Sequence, residues 1–277
     1  MNLDPESVPQ DLCLSAADES YEPVAYSSWD VSTHGPKPRP AWVVTELSAI
    51  DTELGVLKTG KEADVHLLHR GLPGDDGVLL AAKRFRPSEH RMFHRDAGYT
   101  EGRRVRRSRE TRAMATRTEF GRELLAGQWA IAEFSALSAL WRLGAPVPYP
   151  VQLHGTELLL EFIGDEDGAA APRLAQCRPD RFGLADLFKQ ACEAMRTLAQ
   201  AGYAHGDLSA YNMLVWEERL WMIDLPQIVD IAANPRGDEF LRRDCVNVCT
   251  WFRGRGYDAA DPELLFGDLM AEAVARW

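Results

Sequence analysis

The chain has no apolar stretch long enough to cross a bilayer. Its best candidate, LLAGQWAIAEFSALSALWRL, carries Gln128, Glu133 and Arg142, whereas a spanning helix needs about 20 predominantly apolar residues. A secretory start is missing too, since MNLDPESVPQDL is acidic, with neither a basic opening nor an apolar core. Cysteine is scarce. Cys13, Cys177, Cys192, Cys245 and Cys249 are odd in number and contain no C-x-x-C pair, which argues against a disulfide framework or a zinc knuckle and leaves reduced thiols that pack as small hydrophobes. These absences predict a cytoplasmic protein with no membrane partner.

Basic charge is in short supply and unevenly placed. The chain holds 31 Lys and Arg against 42 Asp and Glu, a net charge of −11. Seven acids precede the first base, Lys37, and no apolar period is sustained there, so residues 1–41 are expected to form a flexible acidic, Pro-rich tail. From Arg84 to Arg122 the sign reverses, with twelve arginines against five acids, a local +7 that leaves −18 for the rest. Residues 87–117 are therefore expected to form an Arg-rich loop. Its arginines from Arg103 through Arg117 would suit an anionic partner such as RNA or a ribonucleoprotein, unless the segment is simply a solvated insertion.

What is present fits one two-lobed domain or two small ones, at 277 residues and 45% apolar. LGVLKTGKEADVHLLHR reads as two strands joined across a Thr-Gly-Lys turn, and GVLLAAKRF as a third. A helix is predicted from Glu119 to Leu143, with Leu125, Trp129, Leu137, Leu140 and Trp141 on one stripe and Gly144 ending it. PVQLHGTELLLEFI follows as a hairpin turning near His154 and Gly155. Beyond EFIGDEDG the character becomes helical. One helix ends at Gly202, HGDLSAYN leads into the hairpin NMLVWEERLWMID, and two more helices run from about Asp238 to Arg253 and from Asp261, an N-cap followed by Pro262, to the end.

Three charges stand where apolar residues belong. Glu133 lies four residues from both Trp129 and Leu137, inside the helix stripe, and a buried carboxylate without a partner costs several kcal/mol. Lys83 shares a strand face with Leu79, Ala81 and Phe85. The two most simply pair, although a Lys snorkelling to the sheet edge is the alternative. Asp224 ends a strand, LWMIDL, that is apolar on both faces. Asp224 and the Asn212 amide are two hard oxygen donors for a divalent cation, and Asp207 is a second carboxylate able to receive or steer a proton. Such donors favour Mg²⁺ or Mn²⁺ with a shell completed by phosphates, which points to a nucleotide. KTGKEA offers a turn where Gly60 lets the backbone approach an anion; alone, it also describes an ordinary hairpin turn.

Over about residues 45–255 these stretches resemble a RIO-type atypical protein kinase of the subgroup without an N-terminal winged helix. The resemblance rests on TGKEADV, AAKRF, Glu133 in WAIAEF, GAPVP, LEFIG, APRL, HGDLSAYNML, MIDLPQ and EFLRRDCVNV, in that order. It implies an α+β fold of two lobes, protein-kinase-like, with an antiparallel N-lobe sheet and one main helix over 42–163 and a mostly helical C-lobe over 164–277. It further implies ATP with Mg²⁺ or Mn²⁺ as cofactors, and catalytic roles for Asp207, Lys83 and Glu133. Thr59, Gly60, Lys61 and Glu62 would cover the triphosphate with Lys83, backbone groups of Glu161 and Ile163 would meet the adenine, Asn212 and Asp224 would hold the metal, and His205 would order the loop.

The activity so implied is serine/threonine phosphorylation of a protein substrate, with autophosphorylation. The alternatives are an ATPase switch through an aspartyl-phosphate on Asp224 acting on an RNA-protein assembly, a small-molecule phosphotransferase, which H-G-D, Asn and I-D also resemble, and a pseudokinase scaffold, against which the complete residue set speaks. One departure stands out. Lys58 occupies the position where the family commonly has Ser, exchanging a hydroxyl for a positive charge and leaving the γ-phosphate contact open. As in the RIO family, there is no Ala-Pro-Glu segment and almost no room after Asp224 for an activation loop, which weakens ordinary peptide-substrate binding.

Overall fold

The computed structural model describes residues 25–86, 119–225 and 228–275. The first lobe is an antiparallel sheet of six strands, β1 (Thr33–His34), β2 (Ile50–Thr59), β3 (Ala63–Gly71), β4 (Val78–Phe85), β5 (Pro150–His154) and β6 (Glu157–Glu161). Their order across the sheet is β1-β5-β6-β4-β3-β2. β4 lies inside the sheet and is covered on both faces. Leu80 and Ala82 join an outer cluster with Trp29, Leu68, Tyr149, Val151 and Leu159, while Phe85 faces helix α1 (Glu119–Arg142) on the inner side.

Residues 25–41 correct the expectation of a tail that runs to residue 41. Trp29 is buried against the outer face of the sheet, and β1 pairs with β5 through Thr33 and Leu153. The Tyr149 hydroxyl donates to the Pro36 carbonyl at 2.7 Å, and the Gln152 amide donates to Ser28 Oγ at 2.8 Å. The same glutamine accepts from Arg70, a fully buried guanidinium that also grips Asp51 through two bonds of 2.7 and 2.8 Å. Isolated aromatics at irregular spacing do this packing, and a search for periodicity misses them. Residues 1–24 and the Arg-rich stretch 87–117 lie outside the described residues, as do Pro226 and Gln227 of the MIDLPQ motif.

Helix α1 lays Ala126, Ala130, Leu137 and Leu140 onto the inner face of the sheet. Ala130 lies deepest with Leu137 and Leu140, Ala126 is also buried, and Trp129 and Trp141 pack against the cluster. Small side chains at the contact bring the helix close enough for a carboxylate on it to reach a strand.

The second lobe is built on α2 (Arg181–Gln200), α3 (Gly237–Arg253) and α4 (Pro262–Val274), with the short strands β7 (Tyr203–Ala204), β8 (Met213–Trp216), β9 (Arg219–Met222) and β10 (Val229–Asp230). Asp180 caps α2 by accepting from Gly183 N, and Asp261 caps α4 by accepting from the Glu263 and Leu264 amides. Leu187, Ala191 and Met195 of α2 pack with Cys245, Val248 and Phe252 of α3. Among the contacts that join the lobes, the Met222 amide donates to the Pro146 carbonyl at 2.7 Å, and one apolar core runs from Phe85, Leu137 and Leu158 through Leu174 to Met213 and Met222. No described helix is long and apolar enough to cross a membrane.

Candidate active site

The pairing expected for Lys83 and Glu133 is present at the junction of the lobes. Lys83 Nζ donates to both Glu133 oxygens, at 2.8 and 2.7 Å, and to Asp224 Oδ1 at 2.7 Å. Lys83 and Glu133 are buried, at 8% and 1% exposure, while the Asp224 side chain keeps about a third of its surface open. Burial works against the Lys83 charge, but the two carboxylates outweigh it and hold the ammonium above its ordinary range. Burial likewise opposes ionisation of Asp224. Lys83 at close range, with Lys58 and His205 further off, overrides it and brings the carboxyl down to about 2. For Glu133, burial pushes the carboxyl upward and the adjoining ammonium resists.

Asp224 reaches Lys83 by an unusual backbone. Its φ of 68° lies in the left-handed region, which an aspartate tolerates better than most side chains. The Leu225 amide then donates to Glu133 Oε1 at 3.3 Å. Glu133 therefore holds both the lysine and the chain just past the aspartate.

The loop HGDLSAYN is pinned from several directions. Asn212 Nδ2 donates to the Asp207 carbonyl at 2.9 Å, and the Ile223 amide donates to the Asn212 carbonyl at 3.0 Å. With its nitrogen occupied, Asn212 has its side-chain oxygen left as a ligand atom. His205 donates through Nε2 to the Ile223 carbonyl at 3.1 Å, and its Nδ1 accepts from the Asp207 amide at 3.4 Å. The ring thus ties the start of the loop to the segment that leads from β9 to Asp224. The Asp207 side chain itself stands open to solvent.

One residue of this machinery was not singled out from sequence. Asp244 on α3 is buried at 1% exposure and accepts from the Gly206 amide at 2.8 Å and the Leu208 amide at 2.9 Å, so it straddles Asp207. Asn247 Nδ2 adds a bond to the Leu208 carbonyl at 3.0 Å, and Arg243 donates to the Gly206 carbonyl. The signal was available, because Asp244 lies four residues from Phe240 and from Val248 in the α3 stripe, the same anomaly that exposed Glu133.

On the other side of the cleft, Thr59 ends β2 and Gly60, Lys61 and Glu62 form the turn to β3. Gly60 donates to the Ala63 carbonyl at 3.0 Å, and a Cβ there would lie 2.8 Å from that same oxygen, so the tight turn requires glycine. At the connection between lobes, the Glu161 amide donates to the Tyr149 carbonyl and the Ile163 carbonyl accepts from the Ala171 amide, both at 2.9 Å. The Glu161 carboxylate turns back to accept from the Tyr149 amide at 2.9 Å. APRL links this hinge to the loop: the Val215 amide donates to the Pro172 carbonyl at 3.0 Å, and Arg173 Nη1 donates to the Tyr211 carbonyl at 2.6 Å.

Among the described residues, no group of three or more His, Cys, Asp or Glu could hold a metal ion by itself. The donor set of the site still fits a hard cation. Two oxygen donors, the Asn212 amide oxygen and the Asp224 carboxylate, suit a Mg²⁺ that takes the rest of its shell from water and phosphate.

A strand-rich lobe with a Lys–Glu pair, a hinge, and a helical lobe presenting Asp207, Asn212 and Asp224 together define a two-lobed protein-kinase-like fold. Within that class, the RIO domain model matches residues 89–265, more than half of the chain, and the chain belongs to the RIO domain family. It is 36% identical over 211 residues to the RIO-type serine/threonine-protein kinase Rio1 of Haloferax volcanii, covering 76% of this chain and 66% of that one. To the serine/threonine-protein kinase rio1 of Dictyostelium discoideum it is 35% identical over 202 residues, covering 72% and 32%. The chain thus spans from about a third to about two thirds of the length of these relatives. Among solved structures, the Rio2 kinase from Chaetomium thermophilum matches with a TM-score of 0.59 at 22% identity, covering 79% of this chain and 63% of that one. The Rio2 kinase-ADP/Mg²⁺-phosphoaspartate complex from the same organism matches with a TM-score of 0.53 at 19% identity, covering 81% and 71%. These likenesses carry the fold.

Proposed function

We propose that the chain is an ATP-dependent serine/threonine kinase that transfers the γ-phosphoryl of ATP to a hydroxyl of a protein substrate, itself included. The observation that carries this reading is the Lys83 ammonium held between Glu133 and Asp224, beside a loop that fixes Asp207 and Asn212. Phosphoryl transfer is mostly positioning and charge stabilisation, and the hydrogen bonds from Asp244, Asn212 and His205 supply the positioning. Lys83 would bind the α and β phosphates, with Glu133 as the positioning residue behind it. Asp207, open to solvent, would accept the hydroxyl proton as the oxygen attacks phosphorus and ADP leaves. Asn212 and Asp224 would hold Mg²⁺, or Mn²⁺ in its place, and the cation would neutralise charge on the phosphate oxygens. Relatives that match this chain are named serine/threonine-protein kinases, which supports the assignment.

One observation favours a second reading, an ATPase switch. Asp224 is ionised and partly open, so its carboxylate oxygen could attack the γ-phosphorus, expelling ADP and leaving an acyl phosphate that water later cleaves. A structural relative is described as a phosphoaspartate complex. The test is incubation of the purified chain with Mg²⁺ and γ-labelled ATP, followed by hydroxylamine. Stable label on Ser or Thr, absent in Asp207→Asn, supports the kinase. Labile label absent in Asp224→Asn supports the switch. Neither label nor turnover rejects both.

A further inference from the structure

The β2–β3 pairing places a second lysine on the face of the sheet that carries Lys83. Val56 opposes His66, but the next registered pair is Lys58 with Val65, because a bulge at Leu57 breaks the count. In a regular ladder Lys58 would oppose Asp64 and point to the opposite face, since successive side chains alternate. The bulge re-aims it, a role bulges commonly play beside active sites. Val65 in turn opposes Lys83 across β3 and β4. Lys58, Val65 and Lys83 therefore form one cross-strand row, with the two lysines two strands apart, about 9–10 Å between backbones. Lys58 is solvent-exposed on the edge strand that ends this row, and its charge acts on Asp224.

Resting on the nucleotide reading above, we propose that Lys58 is a specificity-determining residue that binds the terminal phosphate of ATP and separates ATP from ADP. Lys83 is already committed to Glu133 and Asp224 at the inner end of the row and takes the inner phosphates. A cation two strands further out, one residue before the Thr59–Gly60 turn and within electrostatic reach of Asp224, lies where the phosphoryl to be transferred must sit. An ammonium there forms a charge-assisted bond that only a triphosphate can accept. The bulge at Leu57 is the local distortion that makes this possible.

The test is titration calorimetry of the full chain with Mg²⁺-AMP-PNP and with Mg²⁺-ADP, for the wild type, Lys58→Met and Lys58→Arg. The expected result is a loss of about tenfold or more in AMP-PNP affinity for Lys58→Met, with ADP affinity unchanged within about twofold and AMP-PNP binding largely kept in Lys58→Arg. Thermal melts of the variants check folding, which an exposed substitution leaves intact. Equal losses for both nucleotides, or no loss for either, overturn the assignment while leaving the kinase reading standing. A wild type that binds neither nucleotide overturns the nucleotide reading and, with it, this one.

Discussion

Lys83 Nζ lies within 2.8 Å of both oxygens of Glu133 and 2.7 Å from Asp224 Oδ1, so a single ammonium joins a strand of the first lobe, its helix and a loop of the second. Removing the lysine leaves Glu133 buried and uncompensated. Lys83→Met should cost about 3–5 kcal/mol in urea unfolding, the range for a broken buried pair, and abolish ATP turnover. The double variant Lys83→Met/Glu133→Leu should recover most of the stability and none of the turnover. A double variant no more stable than the single one would show that the buried charge is not the source of the loss.

Asp244 should separate positioning from binding. It is buried on α3, where it carries the amides on either side of Asp207. Asp244→Asn offers one acceptor oxygen in place of two, and kcat should fall about 100-fold, since small misplacements near the reacting groups cost that much. ADP affinity should stay within about twofold. Parallel losses of kcat and ADP affinity would place Asp244 in general stability and not in the geometry of Asp207.

The hairpin between β8 and β9 turns on Glu217 and Glu218, with φ of 48° and 63°. Two-residue hairpin loops favour Asn-Gly here, because both central residues need positive φ. Gln190 compensates, donating to the Glu218 carbonyl and accepting from the Leu220 amide, both at 2.8 Å. Glu218→Gly should raise stability by about 1 kcal/mol, and Gln190→Ala should lower it, with turnover unaffected in the first case. A fall in melting temperature for Glu218→Gly would mean that the side chain itself stabilises the turn.

The order of β2 to β6, the β8–β9 hairpin and the four helices was legible because most of these elements carry a period or a strong boundary signal, as with Asp261 and Pro262 at the start of α4, whereas the two-residue strands β1, β7 and β10 are too short to carry either. Lys83, Glu133 and Asp224 were legible for a different reason: each is a charge where the pattern demands an apolar residue. Asp244 carries the same mark, but its role stays hidden because its partners are backbone amides that no sequence displays. The bulge at Leu57 leaves no trace in a strand already irregular in pattern, so the direction of Lys58 had to come from the register. Trp29 and its neighbours lie in an acidic segment whose composition outweighs one aromatic until the sheet face it covers is known.

The ionisation of Asp224 gives a pH test with a definite sign. Its carboxyl is lowered from an ordinary 3.8 to about 2 in the folded chain, so between those values the unfolded state binds more protons and folding is favoured by rising pH. The contribution is complete above about pH 4 and is lost as pH falls through about 2. Asp224→Asn cannot titrate. The stability gap between wild type and this variant, measured by urea unfolding, should be flat from about pH 5 to 8 and close progressively below about pH 4. Lys83 stays protonated throughout that range, since its partners raise it further; Glu133, which Asp224 helps to push upward, is removed as a second titrating partner by repeating the comparison in a Glu133→Gln background, where the closing gap reports the aspartate. A gap that persists unchanged to about pH 2.5 would mean that Asp224 draws no stability from the ammonium it touches, and that the contact is not an ion pair in solution.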